Sequence, residues 1–161
     1  MFISSIGTRF NAEEVAREIV GFMLADTNSE YKVTLGTDSL MNQATTADFV
    51  TAIVIHRVGR GGRYFWRRID LDNMHTMRIR ITQEVLISLE IAKDFLSKLQ
   101  KIASQNTKLP HYDFEIHIDV GENGATKAMI QELVGMIRAN NFEARTKPFS
   151  YAASNVADRH T

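Results

Sequence analysis

The sequence predicts an α/β protein with a mixed, five-stranded sheet and helices on both of its faces. Three β-rich segments, at 33–39, 49–58 and 63–69, precede a long helix-periodic stretch, and two alternating segments, at 114–120 and 142–146, follow it. An antiparallel meander of the first three strands, followed by a βαβ-like half, gives a mixed sheet. The length of 161 residues suits one domain, in which residues 1–30 form an N-terminal helical extension.

Composition restricts the classes of function. No apolar run approaches the roughly 20 residues of a membrane span, and the N-terminus lacks a signal peptide, so we expect no membrane partner and a cytoplasmic location. The absence of cysteine excludes disulfides and thiolate metal sites, so a metal would bind oxygen or histidine ligands, which favours Mg²⁺ or Mn²⁺. Because the formal net charge is zero, a nucleic-acid partner would need a local basic patch.

Local signals bound the first helix and the first hairpin. Asn11 can cap a helix, and Glu14, three residues later, completes a capping box. This helix is expected to pack either on the sheet edge or on a partner subunit. The second alternative implies a homodimer. Glycines at 59, 61 and 62 predict a tight turn between the second and third strands.

A long amphipathic helix is predicted from Ile81 to Ser104. Its buried stripe recurs at helical spacing and consists of Val85, Leu89, Ala92, Leu96 and Leu99. A second amphipathic helix is predicted over 125–139, after the fourth strand. The tail, 150–161, is expected to form a short helix.

Four carboxylates occupy distinctive positions in this order of elements. Asp38 ends the first strand beside Gly36, whose missing side chain leaves room, and Asp119 ends the fourth strand. Glu84 falls in the first turn of the long helix, at the edge that faces the sheet, where a carboxylate is partly desolvated. Asp158 lies in the final helix. Each also has a simpler explanation, as a turn residue, a partner of the helix dipole or part of a frayed end.

The order of strands, helices and acids resembles that of the ribonuclease H-like superfamily of nucleases, integrases and resolvases. More narrowly, three segments are similar to the YkuK-type branch of that superfamily: Gly36-Thr37-Asp38-Ser39, His117-Ile118-Asp119-Val120-Gly121 and the stretch 152–161. The resemblance extends from about Tyr31 to the last residue. It implies a ribonuclease H-like fold and a divalent-metal-dependent nuclease, that is, a phosphodiester hydrolase whose substrate is RNA, DNA or a hybrid.

The resemblance also implies roles for individual residues. Asp38 would bridge two divalent cations, Mg²⁺ or Mn²⁺. Glu84 and Asp119 would hold one ion, and Asp158 would help hold the other. Two ions roughly 3.5–4 Å apart stabilise the attacking and leaving oxygens of an in-line displacement. His160, with His117 as the second candidate, would move protons to water or to the leaving group.

A run of arginines between residues 57 and 80 is the candidate nucleic-acid surface. These arginines interleave with Tyr64 and Trp66, and such a mixture suits a groove for phosphates and stacked bases. The candidates are Arg63, Arg67, Arg68, Arg78 and Arg80. The alternative is a solvated hairpin face whose charges pair with local acids. Because Tyr64 and Trp66 share one strand face, we expect them to be buried or exposed together.

Two other functions compete with a nuclease. A non-catalytic module of the same fold would bind nucleic acid or a protein partner, and its binding would survive loss of the acids. Nucleotide phosphotransfer, as in actin-like relatives of the fold, uses glycine-rich phosphate loops in two duplicated domains. The sequence shows no such duplication.

Overall fold

A seven-stranded mixed sheet lies at the centre of the computed structural model, which describes residues 1–42 and 44–161. The prediction of five strands was therefore wrong. The additional pair is an N-terminal hairpin, whose strands of three and two residues are too short to show a periodicity. The strands are β1 (Phe2–Ser4), β2 (Arg9–Phe10), β3 (Tyr31–Met41), β4 (Ala47–Arg57), β5 (Gly62–Leu71), β6 (Tyr112–His117) and β7 (Glu143–Arg145).

The strands lie in the order β2-β1-β5-β4-β3-β6-β7. β3, β4 and β5 form the predicted antiparallel meander and stay paired along nearly their whole length. β6 runs parallel to β3, and β7 runs parallel to β6, so the sheet is mixed as expected. The turn between β4 and β5 uses Gly59 and Gly61, whose positive φ values of 76° and 81° disfavour side chains.

Within the described residues, three α-helices accompany the sheet: α1 (Ala12–Leu24), α2 (Met77–Ala103) and α3 (Ile130–Ala139). α1 begins at the predicted capping box, in which Asn11 and Glu14 each accept the other's backbone N–H. α2 begins earlier than predicted, because Oγ1 of Thr76 caps it by accepting the N–H of Ile79 at 3.1 Å. In the part of the chain that the structure describes, no helix is long and apolar enough to cross a membrane.

The α-helices and the C-terminal segment pack on opposite faces of the sheet. α1, α2 and α3 bury one face in a core that includes Val15, Ile19, Leu35, Ile53, Val85, Leu99, Ile116 and Leu133. The C-terminal segment consists of a π-helical turn (Ala152–Ala157) and a 3-10 turn (Asp158–His160). It packs on the other face of β3 and β4, where Ala157 contacts Val50 and Ala52. We call this second side the open face.

Candidate active site

Asp38 lies within strand β3, so the prediction that it ends the strand at a turn was wrong. β3 continues through Met41 because β4 pairs with it throughout, and Asp38 lies opposite Val50. On the other side of β3, the parallel pairing with β6 ends at Gly36 and His117. Asp38 is therefore half-buried at the point where β6 separates from β3.

Asp119 follows β6, which ends at His117 and not at residue 120 as predicted. Asp38 and Asp119 each lie two residues beyond the last register pair of β3 and β6. Because side chains two apart along an extended chain share a face, both acids continue the open face. Asp119 is half-buried, and its Oδ1 lies 3.1 Å from Nζ of Lys147.

Glu84 reaches the same region from helix α2. It lies in the second turn and not in the first, because α2 begins at Met77. The residue is only 4% exposed, and its Oε1 accepts a hydrogen bond of 2.5 Å from Oγ of Ser39. Ser39 is on the helix-covered face of β3, next to Asp38 in the chain. Glu84 therefore approaches β3 from the side opposite to the open face.

Burial raises the pKa values of two of these acids. The pKa of Glu84 is raised to about 8, chiefly because burial disfavours its charged form and also because the charge of Asp38 repels it. The pKa of Asp38 is raised to about 6 by burial and by the charges of Asp119 and Asp158. Arg80 opposes both shifts. The charge of Asp38 is thus close enough to interact with those of the other three predicted acids.

The acids nevertheless do not converge on a single point. Within residues 1–42 and 44–161, no three acid or histidine side chains stand together in an arrangement that could hold a metal ion. Glu84 is turned to Ser39 and Asp119 to Lys147, and like charges keep carboxylates apart. The predicted acids therefore do not form a complete set of metal ligands among the described residues. Its oxygen donors still match the preference of Mg²⁺ and Mn²⁺.

The fourth predicted acid, Asp158, is exposed in the C-terminal segment. The segment is fixed to the open face by the N–H of Ala152, which donates to Nδ1 of His117 at 3.1 Å. The packing of Ala157 on β4 adds a second attachment. The segment carries Asp158 near enough to Asp38 to raise its pKa.

His117, the second candidate for proton transfer, is fully buried. Its Nε2 lies 3.3 Å from Oε2 of Glu115, while Nδ1 accepts from Ala152, so the hydrogen-bond network assigns the ring proton to Nε2. Burial lowers the pKa of His117. Both nitrogens have partners, so the contacts favour a positioning role over proton transfer to substrate.

His160, the first candidate for proton transfer, stacks on Trp66. The two ring centroids are 4.2 Å apart and the planes are nearly parallel, at 8°. The backbone carbonyl of His160 accepts from the guanidinium of Arg68. Burial lowers the pKa of His160, and the charges of Arg68 and Arg159 act in the same direction. The ring is therefore disposed to be neutral near pH 7, which suits a proton acceptor.

The five candidate arginines do not share one surface. Strand alternation places Arg63 and Arg67 on the helix-covered face of β5 and Arg68 on the open face. Arg63 lies 3.5 Å from Glu18 of α1, and Arg68 lies 3.5 Å from Asp48 of β4. These pairings match the alternative of a solvated hairpin whose charges pair locally. A role in nucleic-acid binding stays a prediction for them.

The other two arginines lie in the first turn of α2. Arg78 pairs with Glu132 of α3, and Nη1 of Arg80 donates to the carbonyl of Ser39 at 3.0 Å. Arg80 is therefore the cation of the candidate active site on the side of Glu84. Two partners of the acids were missed by sequence reasoning, Ser39 and Lys147. Ser39 adjoins Asp38 in the chain, whereas nothing local marks Lys147.

Comparison with known proteins places the chain among relatives of the same fold. The family described as Ribonuclease H-like has a model that matches residues 14–161. The match begins within α1, whereas the resemblance seen in the sequence begins at about Tyr31. The curated "Uncharacterized protein YkuK" of Bacillus subtilis (strain 168) is 31% identical over 170 aligned positions, which cover 100% of this chain and 96% of that protein. No solved structure matches the chain significantly.

Proposed function

This chain belongs to the Ribonuclease H-like family, and we propose that it is a divalent-metal-dependent nuclease that hydrolyses phosphodiester bonds. Asp38, Glu84 and Asp119 would hold Mg²⁺ or Mn²⁺ together with Asp158. When bound, such ions would stabilise the attacking and leaving oxygens of the phosphoryl transfer. The substrate would be RNA, DNA or a hybrid of the two.

The observation that carries this proposal is the placement of Asp38 beside Asp119. Both acids continue neighbouring parallel strands past their last paired residues, on one face of the sheet. Burial of Asp38 raises its pKa to about 6, and the charges of Asp119 and Asp158 add to the rise. A half-buried carboxyl group with a raised pKa beside a second acid is typical of functional sites, because folding alone gains nothing from such repulsion.

The remaining residues of the site would orient the acids and move protons. Ser39 fixes the carboxylate of Glu84 by a hydrogen bond of 2.5 Å, and Arg80 adds positive charge on the same side. His160, held by its stack on Trp66, would accept a proton from the attacking water. Lys147 would contact a substrate phosphate when Asp119 takes other partners.

Two observations favour a second candidate, a non-catalytic binding module of the same fold. The described acids do not form a closed set of metal ligands, and Glu84 prefers to be neutral at pH 7. A module that only binds a partner would tolerate this arrangement, since it needs no bound metal.

A cleavage assay distinguishes the two. Labelled RNA, DNA and hybrid substrates are incubated with Mg²⁺ or Mn²⁺ and wild-type protein, Asp38→Asn or Asp119→Asn. A nuclease loses cleavage in both variants and retains it in Asp113→Asn, because Asp113 is exposed at the opposite end of β6. Equal cleavage by wild type and by the Asp38→Asn, Asp119→Asn double variant would show that the activity does not belong to this site. No cleavage by any form, together with binding that survives both substitutions, would support the module.

A further inference from the structure

Phe149 is an exposed aromatic residue on a turn whose backbone is held on both sides. The residue is 70% exposed, while the adjoining Ser150 is fully buried. The N–H of Phe149 donates to the carbonyl of Thr146 at 2.8 Å, and the N–H of Lys147 donates to the carbonyl of Val120 at 2.9 Å. Because the backbone is held, only the side-chain torsions of Phe149 have to be ordered when a flat group binds to its ring.

Two clefts meet at Pro148 and Phe149. The first has a volume of about 340 Å³, and its walls include Lys32 and Arg145. The second has a volume of about 580 Å³ and runs from residues 121–123 to Lys147. Both volumes fall in the range of pockets that take ligands of nucleotide size, roughly 300–1,000 Å³. The ring of Phe149 therefore forms a ridge between two clefts that each carry a basic side chain.

The charges around this ridge suit a phosphate backbone. Lys32, Arg145 and Lys147 are 32%, 46% and 51% exposed, so all three can reach a ligand. Lys32 and Arg145 share the buried carboxylate of Glu115, at 3.3 and 3.1 Å, which leaves one positive charge in excess in the first cleft. In the second cleft, Lys147 contacts Asp119 and so connects the ridge to the candidate active site. Glu122 also lines this cleft, so the excess of positive charge lies in the first cleft.

We propose that Phe149 is a stacking platform for one base of a single-stranded nucleic acid, whose phosphates are bound by Lys32, Arg145 and Lys147. This inference rests on the proposed function and names its substrate class. An unpaired, unstacked base presents its π-face, whereas a base inside a duplex is covered by its neighbours. The strand would run from the first cleft, over Phe149, to Lys147 and the acids.

The test measures binding without catalysis. Fluorescence anisotropy is recorded in EDTA with labelled twelve-nucleotide oligo(U), oligo(dT) and a blunt duplex. Phe149→Ala is expected to weaken binding of the single strands about tenfold, because stacking on an aromatic ring contributes about 1–3 kcal/mol per base. Binding of the duplex is expected to stay unchanged. The matched control is Leu86→Ala, which removes an exposed apolar side chain, 45% exposed, from α2.

A second variant reports the stack itself. In Phe149→Trp, binding of oligo(U) should quench tryptophan fluorescence more than in the wild type, whose single tryptophan is Trp66. Equal single-strand affinity of wild type and Phe149→Ala, or a change of oligomeric state in that variant, would overturn the proposal. Phe149-dependent binding without Mn²⁺-dependent cleavage would refute the nuclease alone. Cleavage with single-strand affinity independent of Phe149 would refute the platform alone.

Discussion

The backbone N–H of Ala152 donates a hydrogen bond to Nδ1 of His117 across 3.1 Å and so joins the C-terminal segment to the end of β6. A ring nitrogen can accept this bond only when it carries no proton. The attachment of the segment that contains Asp158 and His160 therefore depends on a neutral His117. Burial favours that neutral form, because it lowers the pKa of His117.

We predict that acid weakens the attachment of the C-terminal segment. Since the pKa of His117 is lower in the folded protein than in the unfolded chain, the unfolded chain takes up this proton first. The contribution of His117 to stability is complete above about pH 6.5 and falls below it, by at most about 1.4 kcal/mol per pH unit. Trp66 reports the change, because it is the single tryptophan and stacks on His160. Its emission should shift to the red as the pH falls from 7 to 5.

The control for this prediction is His117→Asn. The amide oxygen of Asn can accept the N–H of Ala152 but does not titrate in this range. On acidification, the unfolding free energy of the wild type should therefore fall more than that of the variant. A difference that stays constant from pH 7 to 5 would mean that His117 does not control the segment. Comparing the two proteins also removes the opposite effect of Asp38, whose raised pKa adds stability as the pH falls through 6.

Binding of Mn²⁺ should release protons near neutral pH. With a pKa of about 8, Glu84 is mostly protonated at pH 7, and it must lose its proton to become a metal ligand. We expect about one proton per site at pH 7 and fewer at pH 9. Calorimetric titration in buffers of different ionisation enthalpy gives this number. Identical binding heats in PIPES and Tris would contradict a role for Glu84, and Glu84→Gln should abolish the proton release.

Glu84→Gln should also stabilise the metal-free protein at high pH. Because the folded pKa of Glu84 lies above its ordinary value of 4.5, its contribution to stability is present at low pH and is lost as the pH rises towards 8. A neutral amide does not carry the buried charge that appears at pH 9. At pH 9, we expect the unfolding free energy of the variant to exceed that of the wild type by on the order of 1 kcal/mol or more. In thermal unfolding, each kcal/mol corresponds to a rise of about 2–4 °C in Tm. At pH 5 the two proteins should unfold at similar temperatures.

Ser39→Ala should shift the pH dependence of metal binding upwards. The hydroxyl of Ser39 donates to Glu84 and thereby lowers its pKa, in opposition to burial. Without this bond, Glu84 holds its proton to a higher pH, so the midpoint of Mn²⁺ affinity against pH should rise. Apparent affinities measured from pH 6 to 9 provide the comparison. Ser29→Ala is the control. Among the described contacts, the side chain of Ser29 bonds only to Asp26, which lies outside the candidate site.

A buried hydroxyl chain beneath the site should be sensitive to the loss of its middle member. Oγ1 of Thr37 lies 2.9 Å from Oγ1 of Thr51 and accepts from Oγ of Ser88 at 2.8 Å. Thr37→Val keeps the shape but leaves two buried hydroxyls without a partner, so we expect a loss of about 1–3 kcal/mol in urea unfolding. The triple variant Thr37→Val, Thr51→Val, Ser88→Ala should recover part of that loss. The triple variant could be less stable than Thr37→Val by more than the cavity left at position 88 accounts for. That result would argue against the hydroxyl chain.

The sequence allowed the central meander to be predicted because β4 is rich in β-branched residues, β5 is rich in aromatic residues, and glycines join the two long strands. Helix α1 was predicted for a similar local reason, the capping box of Asn11 and Glu14. Strands β1 and β2 could not be predicted, because their few residues form strands only by pairing with each other and with β5. Their placement is a tertiary effect, and no local pattern encodes it.

The sequence singled out the acids of the candidate site, whose role stays a prediction, but not their contacts. Strand ends and a helix edge pointed to Asp38, Asp119 and Glu84, and the structure places their charges within reach of one another. The pairing of Asp119 with Lys147 joins residues from separate elements, so sequence spacing could not show it. The same holds for the stack of His160 on Trp66.

The most direct test of the account is a crystal of the protein soaked in millimolar Mn²⁺ and measured at the manganese absorption edge. We expect an anomalous peak at roughly 2.0–2.3 Å from carboxylate oxygens of both Asp38 and Asp119, with Glu84 turned away from Ser39 towards it. The same soak of Asp38→Asn should show a weaker peak or none. A map with no peak between Asp38 and Asp119, at a concentration that supports cleavage, would contradict the proposed metal centre.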